Sequence, residues 1–264
     1  MAMTKIKLSI LGALMLTIAA SAQQAPIGYD DTPMQPNGKW RVHDGKRPYP
    51  PVVTSAIADS AAAPSDAIVL LGPADNLDAW QMPDGAPASW VMKGGVLQTG
   101  KGMLHTKEQF TDVQLHVEFA TPAEVKGDSQ GRGNSGVFLL GHFEIQVLDS
   151  YRNITYPDGQ AASMYGQYPP LVNVARAPGQ WQTYDIIFNA PRFGTDGKLE
   201  APAIVTVLHN GVVVHHATAF WGPTRHRSVL PYTSAMASGP IALQDHGNPV
   251  RYRNIWVRRL RGYD

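Results

Sequence analysis

Gly133-Asn134-Ser135-Gly136-Val137-Phe138-Leu139-Leu140-Gly141-His142-Phe143-Glu144-Ile145-Gln146-Val147-Leu148-Asp149-Ser150 reads as two β-strands in succession, Gly136–Leu140 and Glu144–Leu148. Side chains alternate faces along a strand, so Glu144 and Gln146 project to one side and Ile145 and Val147 to the other. Asp149 has the opposite parity and joins Glu144 only if a bulge or the strand end re-aims it. A carboxylate and an amide on one sheet face suit a sugar, whose hydroxyls they can grip and whose protons the carboxyl can move.

The same pattern continues on both sides of this stretch. From Ala67 the candidate strands are Ile68–Leu71, Trp90–Met92, Val96–Gln98, Val113–Phe119, Thr183–Phe188, Ala203–Leu208, Val212–His216, Pro240–Gln244 and Arg251–Val257. Asp112-Val113-Gln114-Leu115-His116-Val117-Glu118-Phe119 alternates strictly and predicts a half-buried strand. Asn210-Gly211 between two apolar runs predicts a type I′ hairpin. No run carries three helical turns. Many short strands punctuated by Gly and Pro define an all-β fold, a sandwich or jelly roll, over residues 67–264. The long insertions 151–179 and 217–238 are rich in aromatic and polar residues and are expected to build a site at the rim of the sheet.

The chain has 264 residues and no cysteine, so neither a disulfide framework nor a lipid-bearing cysteine is available. Residues 1–22 read as a signal peptide, with Lys5 and Lys7, an apolar stretch Leu8–Ala20 and the small-residue site Ala20-Ser21-Ala22. This predicts a periplasmic or secreted protein with no membrane attachment after cleavage. Removing Lys5 and Lys7 leaves 20 basic against 21 acidic residues, and a near-neutral chain argues against nucleic acid as a partner. The tail Arg251, Arg253, Arg258, Arg259 and Arg261 reads as a solvated face rather than a binding patch. Residues 23–66 are rich in Pro, Ala, Asp and Ser and read as an extended N-terminal arm or linker. Trp40 is a candidate anchor for it.

Further site candidates follow from parity and loop position. Gln244 and His246 share a face at the end of a strand, and His246 either titrates or forms a structural hydrogen bond. Asp149 is either a second carboxylate or a turn cap. Asn134 suits sugar binding or a turn. Tyr165 and Tyr168 can stack on a sugar ring or anchor their loop, and His226 in the second insertion can contact substrate. Trp181 is expected in the core. Glu144, Asp149 and His246 are acceptable ligands for a divalent ion, but no compact metal motif exists and no cofactor is expected.

Several segments, in order, resemble the secreted bacterial 3-keto-disaccharide (3-keto-glycoside) hydrolase family. They are Gly133–Phe138, Phe143–Asp149, Met164-Tyr165-Gly166, Gly179–Ile186, Val207–Gly211, Gly239–Gly247 and Val250–Val257. The resemblance spans about Ala67 to Leu260 and implies a concanavalin-like jelly roll. It also implies a substrate, an oxidised disaccharide or glycoside, whose C3 hydroxyl has become a ketone. The C2 proton is then acidic, the C1 group leaves by elimination and water adds to the unsaturated sugar. That scheme needs a base, an acid and a group that holds the enolate. Glu144, His246 and Asp149 are the candidates for it, with Asn134, Gln146, Tyr165, Tyr168, His226 and Gln244 around the substrate. A functional partner oxidoreductase must make the ketone, since the chain has no Gly-rich dinucleotide fingerprint. Two alternatives share the fold: a non-catalytic lectin-like module, and a conventional concanavalin-like endo-glycosidase. The latter uses Glu-x-Asp-x-x-Glu, where this chain has Glu144-x-Gln146-x-x-Asp149.

Overall fold

The computed structural model describes residues 27–36, 38–50, 52 and 62–260, and the signal-peptide reading of residues 1–22 lies outside them. Fifteen strands follow in chain order: β1 (Ile68–Leu71), β2 (Trp80–Gln81), β3 (Val91–Lys93), β4 (Val96–Gln98), β5 (Leu104–Thr106), β6 (Val113–Ala120), β7 (Ser135–Leu139), β8 (Phe143–Val147), β9 (Gln182–Asn189), β10 (Arg192–Phe193), β11 (Leu199–Ala201), β12 (Ile204–His209), β13 (Val212–Ala219), β14 (Ala242–Leu243) and β15 (Arg251–Arg259). Helical structure among the described residues is limited to the short 3-10 turns Ser129–Gly131, Pro157–Gly159 and Ser234–Ala237.

The large sheet runs β13-β12-β9-β6-β15-β4-β3, with β1 pairing the far half of β15. The small sheet runs β2-β5-β14-β7-β8, and β10 and β11 form a separate ribbon. All pairings are antiparallel. The two large faces close on one core: Leu115, Val117, Phe119, Tyr184, Ile186 and Phe188 of the large sheet belong to the same buried cluster as Val137, Leu139, Phe143, Ile145 and Val147 of the small one. This is the all-β sandwich that the alternating runs predict, and it agrees with the concanavalin-like fold that the family resemblance implies.

The hairpin at Asn210-Gly211 has φ of 52° and 80°, the positive values at both positions that a type I′ turn requires. Pro240–Gln244 is shorter than predicted, a strand only at Ala242–Leu243. Pro240 has no N–H to give, and Ile241 N–H goes to the Thr106 hydroxyl instead. β6 is buried almost throughout rather than on one face, because His116 and Glu118 on its outer side are covered by Trp256, Asp185 and Arg253. Trp181 is not in the core: it is half-buried beneath Arg251 and Arg253, whose guanidinium carbons lie 5.4 and 4.1 Å from its ring centre. The basic tail is paired rather than merely solvated, with Arg253 on Glu118, Arg258 on Asp66 and Arg259 on Glu108.

The expectation of an extended arm does not hold over residues 27–36 and 38–50. Met34 and Arg41 bridge as a hairpin, with Gln35 N–H on Trp40 C=O and Val42 N–H on Pro33 C=O. The hairpin is fastened not by Trp40 but by Gln35, His43 and Arg47. Gln35 Nε2 donates to the carbonyls of Gly166 and Gln167, and Arg47 also donates to Gln167 C=O.

Candidate active site

β7 and β8 pair with Gly136 opposite Gln146 and Phe138 opposite Glu144. Period-2 alternation therefore lines one side of the small sheet with Phe138, Glu144 and Gln146, while Val137, Ile145 and Val147 enter the core. The insertions are stitched to the backbone of Glu144 itself: its N–H donates to the Thr224 hydroxyl (2.9 Å), and its C=O accepts from Tyr165 N–H (3.2 Å). The first insertion also pairs along β8, with Gln146 exchanging hydrogen bonds with Ser163 C=O and Ala162 N–H. Together these elements wall a cavity of about 730 Å³.

Of the residues singled out in the sequence, Glu144, His246, Asn134, Gln146, Tyr165, His226 and Gln244 all line this cavity. Asp149 and Tyr168 do not. Asp149 takes the parity of its strand position and faces a separate, smaller pocket, where Arg132 Nε donates to it at 2.7 Å. It also accepts from Tyr151 N–H, so it caps the turn. Tyr168 packs on Trp221 at 4.5 Å between ring centres and lies near Arg47. Sequence reasoning missed Tyr29, Gln130, His142 and Tyr156, which also line the cavity. Gln130 and Tyr156 sit in 3-10 or loop segments without periodicity.

Glu144 is 5% exposed, and its carboxyl accepts no hydrogen bond from any described residue. Burial pushes its pKa up to about 8, so the side chain is a neutral acid at pH 7. Room for it is made by Gly136: a Cβ there would lie 2.4 Å from Glu144 Oε1 and 2.9 Å from the Phe138 ring. Only glycine at 136 lets the carboxyl lie over the strand.

Amide groups surround the acid in fixed orientations. Gln130 Nε2 donates to Gly159 C=O (2.8 Å), which turns Gln130 Oε1 toward Gln146 Nε2 (2.9 Å). Asn134 Nδ2 donates to Gln130 C=O (2.7 Å). Backbone carbonyls can only accept, so Gln146 Oε1 and Asn134 Oδ1 are left facing away from these bonds. Both are buried and accept no hydrogen bond from the described residues, as is Gln244 Oε1. Three buried acceptors in one cavity are matched by a ligand that brings hydroxyl donors.

The opposite wall is aromatic. Tyr165 OH bonds both Tyr156 OH (2.8 Å) and His226 Nδ1 (3.0 Å). Burial raises both phenols, so they stay protonated. His226 is lowered, first by burial and then by His43, Arg227 and His246, and is neutral at pH 7. His246 is exposed at the mouth. No three His, Asp or Glu side chains among the described residues are grouped to share one metal ion.

The 3-keto-alpha-glucoside-1,2-lyase-like domain matches residues 66–258. Among solved structures, a "putative glycosyl hydrolase" from Parabacteroides distasonis ATCC 8503 is 44% identical, over 81% of this chain and 93% of its own, with a TM-score of 0.73. A second protein of that description and organism is 23% identical, over 74% of this chain and 99% of its own (TM-score 0.53), a likeness of fold. No curated protein matches the chain.

Proposed function

The chain belongs to the 3-keto-alpha-glucoside-1,2-lyase-like family, and from that premise we propose that its cavity cleaves 3-keto-glycosides by elimination followed by hydration. Family and relatives support a carbohydrate-active enzyme of the glycosidase type. The observation that carries the finer reading is that Glu144 is the one carboxylate among the described residues lining the cavity. A retaining or inverting glycosidase needs two carboxyl groups flanking the anomeric carbon, roughly 5–10 Å apart. With Asp149 in another pocket, paired to Arg132, no second carboxyl among the described residues lines the cavity.

A single neutral acid suits a ketone. Removing the C2 proton sends its electrons toward the C3 oxygen, and a protonated buried carboxyl is a strong donor to such an enolate. In this scheme Glu144 O–H holds the C3 oxygen. His226, neutral at pH 7, takes the C2 proton, with His246 at the mouth to exchange it with solvent. The enolate collapses, the C1–O bond breaks, and the aglycone leaves with a proton returned from the imidazole. Water then adds at C1 of the enone. Asn134, Gln146 and Gln244 accept hydroxyl protons of the sugar, and Tyr165 and Phe138 face its ring.

The chemistry requires an oxidoreductase upstream to supply the ketone. The leader-like residues 1–22 support a periplasmic or secreted location, and residues 67–264 are read as the catalytic domain. The test is aglycone release from a 3-keto-glucoside and from its unoxidised parent. We expect release from the keto sugar alone, with Glu144→Gln slower by about 10²-fold or more. Release from both sugars would overturn the elimination reading in favour of a conventional glycosidase, and binding without release would make the chain a carbohydrate-binding module.

A further inference from the structure

We infer that His43, packed by the N-terminal hairpin behind the side chains that line the cavity, is a positioning residue of this reaction acting through the His226–Tyr165 pair; the inference rests on the elimination reading above. Four observations on the same side chain support it. His43 has φ of 60°, the left-handed conformation that is uncommon outside glycine and that Asn, Asp and His enter more often than other side chains. The surroundings are visible: both carboxylate oxygens of Asp158 hold this one residue, Oδ2 accepting its backbone N–H and Oδ1 bonded to its Nδ1, each at 3.0 Å.

Asp158 is itself fully buried and also accepts from Gln35 Nε2 (3.3 Å), with Arg47 at 3.9 Å. Because a carboxylate can only accept, His43 Nδ1–H is the donor and the angle of the ring is fixed, the arrangement by which a carboxylate orients an imidazole for chemistry. The ring then lies among four cavity-lining side chains: its centre is 4.1 Å from Tyr156, 4.8 Å from Tyr165, 5.2 Å from His226 and 6.1 Å from Tyr29. On His226 it is stacked, with 30° between the planes. Lastly, His43 Nε2 is buried and bonds no described residue, so the second ring nitrogen has no structural task.

Tyr165 OH holds His226 at one edge, through Nδ1, and His43 supports its face. Those two contacts fix the plane of the imidazole that takes the C2 proton. The N-terminal hairpin is therefore part of the active site, not a tether.

The test uses full-length variants on the 3-keto-glucoside. His43→Asn keeps a residue that tolerates positive φ and an amide donor for Asp158, and removes only the ring. We expect its kcat to fall about tenfold or more, with KM within about twofold, the signature of an interaction used in the transition state. Its Tm should stay near that of the wild type. His43→Gly, equally at ease at this φ, should regain activity with added imidazole, saturably. An unchanged kcat in His43→Asn, or a loss matched entirely by a loss of folded protein, overturns the inference. Should His43→Asn fail to fold, His43→Gly decides: no response to imidazole also overturns it. If instead the wild type releases nothing from the keto sugar, the elimination reading itself has failed and takes this role with it.

Discussion

Glu144 shows how one residue's burial sets both chemistry and stability. Its carboxyl is held up to about 8 in the fold against an ordinary value of 4.5. The folded chain therefore keeps a proton that the unfolded chain releases, and stability falls as pH rises from about 4.5 to about 8. By pH 7 the cost is on the order of 3 kcal/mol. Glu144→Gln, which removes the titration, should show a Tm advantage over the wild type that grows between pH 5 and pH 8; a difference constant across that range would contradict the burial account. The position was legible because period 2 puts Glu144 beside Gln146 whatever the turn before it. For Asp149 the parity already pointed the other way and a turn cap was one of its two readings; what the sequence did not show is the Arg132 guanidinium that receives it. His43 left a weaker trace: Asp44-Gly45 is a turn signal within a run read only for its composition.

At the scale of the element, β6 and β15 carry a polar cluster on the outer face of the large sheet. Burial alone would push His116 down, but Asp185 at 2.6 Å and Glu118 at 3.7 Å overcome it and raise the imidazole to about 9. Trp256 stacks on it at 5.1 Å. The ordinary value is 6.5, so its contribution is fully present below that pH and lost as pH rises through about 9. Thermal melts of His116→Gln should show a loss of roughly 1–3 kcal/mol at pH 6 and a smaller one at pH 10. A loss independent of pH would mean that packing, not charge, holds the cluster. Long alternating strands such as this one were readable. Strands of two or three residues were readable only in part: β3 and β4 fell on short apolar runs, while β2, β5, β10 and β11 carry too little pattern to stand out.

Across the whole molecule, three segments remote in sequence meet at the rim of the small sheet. The N-terminal hairpin lies on the first insertion through Asp158 and Gln167, and reaches the second through Asp31 and Arg227. The sequence marked the two insertions as site-builders by their length and aromatic content. It gave no pattern for the hairpin, whose order comes from hydrogen bonds to partners more than a hundred residues away. Replacing Asp158 with Ala leaves His43 and Arg47 without their carboxylate. The expected cost is about 3–5 kcal/mol, with proteolysis first entering residues 27–50. Unchanged Tm and unchanged cleavage would show that the hairpin is held by something else.

The most direct test of the elimination account follows a single hydrogen. The 3-keto-glucoside is cleaved in D₂O and the released sugar is examined by NMR and mass spectrometry against an enzyme-free control. Elimination followed by hydration predicts deuterium at C2 in step with aglycone release. A released sugar that keeps its original C2 hydrogen would contradict it.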